Sequence, residues 1–180
     1  MTEIREVQVD DAQALLELNR QLDEETKFMM LEPGERSASV DSQADRIRGF
    51  IDKKNSTLLV AQSESKLIGY IAAMGGPYQR NAHKANIVIG ILQEHAGQGL
   101  GTRLFKRMEE WARQAGLHRL ELTVMTHNER GIALYRKVGF SVEGEIKHSL
   151  LIDVKVVDEY SMSKLINQEI AEQGAPEYRR

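Results

Sequence analysis

Gln93-Glu94-His95-Ala96-Gly97-Gln98-Gly99-Leu100-Gly101-Thr102-Arg103-Leu104 follows an apolar run and opens an amphipathic helix. Its three closely spaced glycines let the backbone take left-handed conformations and bring N–H groups close to an anion. The helix that starts there aims the positive end of its dipole at the same place. Such a turn is a phosphate cradle, and the question it poses is which phosphate-bearing molecule it holds.

Two phosphate-loop designs do not fit. A nucleoside-triphosphate loop needs Lys followed by Ser or Thr directly after its last glycine, to reach the terminal phosphates and magnesium. Here Gly101 is followed by Thr102 and Arg103. A dinucleotide loop spaces its glycines G-x-G-x-x-G in the first strand-turn-helix unit, with an acid about 20 residues on. This chain has G-x-G-x-G in mid-sequence, behind other elements, and Glu121 supplies the acid only nominally.

Outward from the loop, the pattern is mixed α/β. Residues 4–9 alternate like an edge strand, and Asp10 or Asp11 can cap a helix whose apolar face uses Ala12, Leu15, Leu16 and Leu18. Residues 39–50 read as a second helix. Residues 57–62 and 67–74 read as a hairpin turning at Ser63-Glu64-Ser65-Lys66. Residues 85–92 are almost continuously apolar, which predicts a central strand covered on both faces. The loop helix runs over 99–114 and stops at Gly116. A strand over 119–125, a short helix over 129–138 and an antiparallel pair over 140–151 and 154–165 follow. That pair turns near Asp153, where Val154 is ill suited to a positive φ, so the turn type stays open. One domain is expected over 1–167, with a polar tail over 168–180.

Composition excludes several classes. The chain has 180 residues and no cysteine, so disulfide frameworks, thiolate nucleophiles and thiolate zinc sites are ruled out. The five histidines show no ligand spacing, and no metal site is expected. The net charge is −3 without a long basic run, which argues against nucleic acid as a partner. The charged stretch Met1-Thr2-Glu3-Ile4-Arg5-Glu6 has no apolar core, and no later run is long enough to span a bilayer; the expectation is a cytoplasmic protein without membrane attachment.

A second segment narrows the reading: Leu122-Thr123-Val124-Met125-Thr126-His127-Asn128-Glu129-Arg130-Gly131-Ile132-Ala133-Leu134-Tyr135-Arg136-Lys137-Val138-Gly139-Phe140. Together with the glycine loop it resembles the GNAT family of acyl-CoA-dependent N-acetyltransferases. That family writes its coenzyme A pyrophosphate loop roughly Arg/Gln-x-x-Gly-x-Gly/Ala and its second signature Asn-x-x-Ala-x-x-Leu-Tyr-x-Lys-x-Gly-Phe. Gly99, Gly101, Asn128, Leu134, Tyr135, Lys137, Gly139 and Phe140 fall on pattern, while Ala96 and Gly131 depart from it. The order of elements also follows the GNAT fold, so the resemblance covers most of the chain. It implies an α/β (α+β) fold with a central mixed, mostly antiparallel sheet of about seven strands flanked by about four helices.

The resemblance further implies acetyl-CoA as cofactor and an amine-bearing acceptor, either a small molecule or a protein N-terminus or lysine. Carried over residue by residue, coenzyme contacts fall on Ile91, Leu92, Gln93, Gly97, Gln98, Gly99, Leu100, Gly101, Thr102, Arg103, Asn128, Tyr135 and Lys137. Main-chain N–H groups near Ile91 and Leu92 would polarise the thioester carbonyl, and Tyr135 would be the acid. Loss of a polar side chain at Ala96 and the softer helix expected at Gly131 bear on coenzyme affinity.

Acetyl transfer needs a neutral amine. A lysine-like amine is neutral only once in roughly 2,500 molecules at pH 7, a penalty of about 4.6 kcal/mol, so a base or a water chain leading to one is expected. Glu94 ranks first for that role, ahead of His95 and Glu121. The loop Asp23 to Arg36 mixes acid with soft apolar side chains, which suits a cationic amine on an apolar stem: Glu24, Glu25 or Glu32 would face the charge, and Met29 or Met30 the stem. A catalytically silent acyl-CoA-binding or regulatory protein would keep the same phosphate loop. Sheet edges and the C-terminal hairpin leave room for a homodimer.

Overall fold

The computed structural model describes residues 2–166; the tail expected over 168–180 lies outside the described residues. Period-two runs of β-branched and apolar residues form seven strands: β1 (Thr2–Glu6), β2 (Thr57–Ser63), β3 (Lys66–Gly75), β4 (Lys84–Ile91), β5 (Arg119–Met125), β6 (Ser141–Ile152) and β7 (Lys155–Leu165). They make one sheet in the order β1-β2-β3-β4-β5-β7-β6, antiparallel throughout except where β4 meets β5. The helices are α1 (Ala12–Glu25), α2 (Val40–Ile51), α3 (Leu100–Gln114) and α4 (Glu129–Lys137).

Two cores form, one on each side of the sheet. Helix α3 presents Leu100, Leu104, Phe105, Met108 and Ala112 at helical spacing to Leu59, Ile71, Ile87 and Leu120. On the other side Leu15, Leu18 and Leu22 of α1 and Ile47 and Phe50 of α2 pack on Leu58, Val60, Tyr70 and Ala72. The strands covered on both faces are therefore β2 and β3, whereas the sequence pattern predicts β4. In β4 Ala85 and Ile87 are buried on one face, but on the other only Gly90 is, beneath Leu22 of α1, while Val88 is partly covered and Asn86 exposed. Its remaining isoleucines, Ile89 and Ile91, face a cleft.

That cleft comes from a splay in the sheet. Strands β4 and β5 pair only through Lys84–Arg119, Ala85–Leu120 and Asn86–Glu121. Beyond that point β4 stays with β3 as far as Ile91, and β5 stays with β7 as far as Met125, so the two halves diverge. Charged side chains hold the closed end. Lys84 Nζ reaches Glu121 at 2.7 Å, and Arg119 bridges Glu121 at 2.9 Å and Glu143 at 2.8 Å. Burial pulls the Glu121 carboxyl up, but hydrogen bonds from Lys84 and Arg119 outweigh it and hold the group below the usual carboxylate range.

Two local details differ from expectation. The first strand stops at Glu6, because Val9–Asp11 turn into a short 3-10 segment in which Asp11 accepts from the Gln8 N–H and from Arg5 at 2.7 Å each. At the β6–β7 turn both Asp153 (φ 48°) and Val154 (φ 59°) are left-handed, as a two-residue type I′ turn requires. A β-branched residue is strained there. None of the described helices is long and apolar enough to cross a membrane.

Candidate active site

Helix α3 starts at the open end of the splay. Gly99 sits at its N-cap with φ 80°, and the first helical bond runs from the Arg103 N–H to the Gly99 carbonyl at 3.1 Å. The N–H groups of Leu100, Gly101 and Thr102 thus bond to no described residue. Helices α3 and α4 approach closely here: a Cβ on Gly101 would stand 2.7 Å from Leu134 Cδ2 of α4. Asn128 caps α4 by accepting from the Gly131 N–H at 3.0 Å. A Cβ on Gly131 would crowd that amide at 2.7 Å, so glycine here favours the cap as well as softening the helix.

A cleft of about 540 Å³ runs between these elements. Its walls include Ile89, Gly90 and Ile91 of β4, Gln93, Gly97, Gly99, Gly101 and Thr102 of the loop, and Asn128, Leu134, Tyr135 and Lys137 of α4. Backbone donors face it too. Leu92 spends its N–H on Ile68 at 3.0 Å, and strand alternation then turns the N–H groups of Ile89 and Ile91 toward β5, whose pairing has already ended. Those groups are open donors of the oxyanion kind. Donors without acceptors at a helix N-terminus, a glycine floor and an apolar slot match a pyrophosphate followed by a flexible amide-bearing arm.

Tyr135 stands in the wall of this cleft. Its ring packs edge-on against Phe105 at 5.8 Å and tilts over Phe140 at 6.2 Å, while its hydroxyl bonds to no described residue. Burial, with Tyr70 nearby, pushes the phenol up to about 12, so it stays protonated throughout the neutral and mildly alkaline range.

A second cavity, of about 560 Å³, lies between the segment after α1 and the β6–β7 hairpin. Met29, Met30, Met125, Leu150 and Leu151 give it apolar walls, and Glu24, Glu25, Glu32 and Glu35 are among its acids. Asp23, 3% exposed, forms its floor and takes a two-pronged bond from Arg36 at 2.6 and 2.9 Å. Lys27 pairs with Asp153, and Phe28 stacks at a tilt on His127 at 5.3 Å; the segment is strapped to the far half of the sheet in this way. Both cavities share Glu25, Thr26 and Met29. The Glu25 carboxylate accepts from the Gln93 N–H at 2.8 Å and from Gln21 at 2.6 Å, leaving a lone pair free on each oxygen.

Not every residue expected here arrives. Glu94 is turned outward, 61% exposed, beside Lys66 at 3.8 Å and His95 at 3.4 Å, since the 3-10 turn Gln93–His95 rotates successive side chains by a third of a turn. Glu121 is locked in the closed end of the splay. Leu92 is a core residue whose N–H is spent on Ile68, Leu100 buries its side chain and offers only its N–H, Gln98 donates to the Glu94 carbonyl at 2.9 Å, and Arg103 donates to the Thr2 carbonyl at 2.7 Å. Sequence reasoning passed over Leu22, Phe28, Ile89 and Arg130, all of which line the cleft. Arg130 falls at a position that the second motif, as written above, leaves unspecified.

Comparison with known proteins agrees with this geometry. The model of the acetyltransferase (GNAT) family matches residues 18–140. The chain belongs to that family. This chain is 37% identical over 94 residues to the spermidine N(1)-acetyltransferase of Escherichia coli (strain K12), a match covering 52% of this chain and 50% of that protein. The chain thus spans about half the length of that curated relative. A crystal structure of an acetyltransferase of the GNAT family from Streptococcus pneumoniae superposes with TM-score 0.90 at 30% identity, covering 92% of this chain and all (100%) of that one. A putative acetyltransferase from Salmonella typhimurium, solved with its cofactor acetyl-CoA, shares the fold at TM-score 0.83 and 18% identity, over 93% of this chain and 95% of that one.

Proposed function

We propose that the protein transfers the acetyl group of acetyl-CoA to a primary amine carried on a short apolar, cationic stem, by direct attack within a ternary complex. The observation that carries this reading is the meeting of two cavities at Glu25, Thr26 and Met29, beside the splayed end of β4. One cavity suits a phosphate-bearing coenzyme and the other an amine. Acetyl-CoA, when bound, supplies a thioester whose acetyl carbon accepts an amine and whose sulfur leaves with a proton.

The residues then divide the work. The N–H groups of Leu100, Gly101 and Thr102 hold phosphate oxygens, and those of Ile89 and Ile91 bond the arm and polarise the carbonyl. Glu25 takes the position that sequence reasoning gave to Glu94. Its free lone pairs accept hydrogen bonds from the incoming nitrogen, and it receives a proton as the new N–C bond forms and nitrogen loses its basicity. Tyr135 donates its proton toward the departing sulfur. Glu24 and Glu32 face further positive charge on the acceptor, while Met29 and Met30 mould to its stem. A small diffusible amine matches the size of this half-open cavity, about 560 Å³, along which the acids and methionines are set. These steps need no metal, and among the described residues no cluster of three ligating side chains exists.

Thiol release from acetyl-CoA against a panel of polyamines, amino acids and peptide N-termini tests this reading, with Tyr135→Phe alongside. General-acid loss should lower kcat by about 100-fold or more while coenzyme binding by calorimetry stays unchanged. Tight coenzyme binding without turnover on any amine would refute it in favour of a silent binder.

A further inference from the structure

We infer that Arg130 contacts the pyrophosphate of the coenzyme, supplying from α4 the positive charge that the phosphate loop itself lacks. The loop offers N–H groups but turns its own cation away: Arg103 is committed to the Thr2 carbonyl at 2.7 Å. Ala96 contributes no polar side chain, and Gln98 is tied to the Glu94 carbonyl at 2.9 Å. A doubly anionic group would then meet only neutral donors at the Gly97 end.

Arg130 fills that gap from the opposite wall. It precedes Gly131 in the first turn of α4, and one guanidinium nitrogen lies 3.0 Å from where a Cβ on Gly97 would stand. The side chain lines the cleft yet makes no hydrogen bond or ion pair with any described residue. Its planar fork therefore has all its donors available, a geometry that matches phosphate oxygens. Lys137, the other cation of the cleft, sits two helical turns along α4 and faces the groove that Thr102 shares with Lys106. Gly97, left-handed at φ 77°, acquires a second reason to be glycine, because a Cβ there would crowd the guanidinium.

This inference rests on the coenzyme reading above, and calorimetry separates the two. Titrations of coenzyme A and of 3′-dephospho-coenzyme A into the wild type, Arg130→Ala and Arg130→Lys, at low and high salt, give the readout, with thermal melts to confirm folding. Arg130→Ala should raise Kd about ten- to hundredfold for both ligands, as expected for a charged hydrogen bond, and make binding less sensitive to salt. Arg130→Lys should restore part of the affinity and most of the salt dependence. A Kd within twofold of wild type would overturn the inference, as would a loss confined to the ligand carrying the 3′-phosphate. Failure of the wild type to bind either ligand would remove the coenzyme reading itself.

Discussion

The cleft proposed for the coenzyme and the cavity proposed for the acceptor adjoin, yet they are built in opposite ways. The cleft is assembled from backbone: a loop, a helix N-terminus and a splayed strand contribute N–H groups, while glycines keep space open. Most of its wall comes from two short stretches, Ile89 to Thr102 and Asn128 to Lys137. The acceptor cavity is assembled from side chains on segments more than a hundred residues apart, from Asp23 to Asp153. Its shape depends on an ion pair, a strap and methionines. One pocket is written as a motif, and the other as a set of tertiary contacts.

If that contrast is right, the sharpest way to separate the two pockets is to break the acceptor floor. Asp23→Asn leaves Arg36 half-buried without its counter-charge, and loss of a buried pair costs about 3 kcal/mol, lowering Tm by roughly 6–12 °C. The acceptor KM should rise while the coenzyme Kd of the folded fraction stays near wild type; equal damage to both ligands would mean the pockets are one unit. Gly101→Ala is the converse. A methyl group 2.7 Å from Leu134 Cδ2 should weaken coenzyme binding by about tenfold, read by calorimetry, with little change in acceptor KM once the coenzyme saturates.

Glu25 belongs to both pockets and sharpens the boundary between them. Glu25→Gln keeps a carbonyl oxygen for the Gln93 N–H but removes the charge, so kcat/KM for the amine should fall about tenfold or more with coenzyme affinity unchanged. Unaltered steady-state kinetics would sink the role given to this carboxylate. A smaller effect is expected at the rim of the acceptor cavity. Val154→Gly removes a strained left-handed valine and should stabilise the protein by about 1 kcal/mol, seen as a rise in denaturation midpoint.

The closed end of the splay supplies a pH test. Hydrogen bonds from Arg119 and then Ser163 hold the Glu143 carboxyl down to about 2, and Glu121 is held low as well. Both folded-state values lie below the unfolded ones, so this stabilisation is complete above the ordinary carboxylate range and is lost as pH falls from about 4.5 toward 2. Glu143→Gln should flatten the acid limb of a stability profile by lowering the neutral plateau, only slightly because the pair is partly exposed, and should leave stability near pH 2 unchanged.

Much of this was legible before any coordinates. The glycine loop and the Asn128 to Phe140 signature named the family, and hydrophobic periodicity located all four helices and seven strands to within a few residues. Tyr135, Gln93, Gly97, Gly99, Gly101, Thr102, Asn128 and Lys137, all singled out from the sequence, line one cleft. The errors have a common cause. Glu94 and Leu92 lie one residue from groups that do face the cleft, and period-two and 3-10 geometry turn neighbours in opposite directions. Adjacency in sequence could not show which way each pointed.

Short-range chemistry, then, was enough for the elements, the phosphate cradle and the family, because turn conformation, helix initiation and amphipathic period depend on residues within a few positions of one another. Tertiary structure alone decided where β4 parts from β5, that Arg130 reaches Gly97, and that Glu25 rather than Glu94 stands where the two cavities meet. Those outcomes depend on how separate elements pack and which side chains then converge, and no local pattern in the chain encodes that distance.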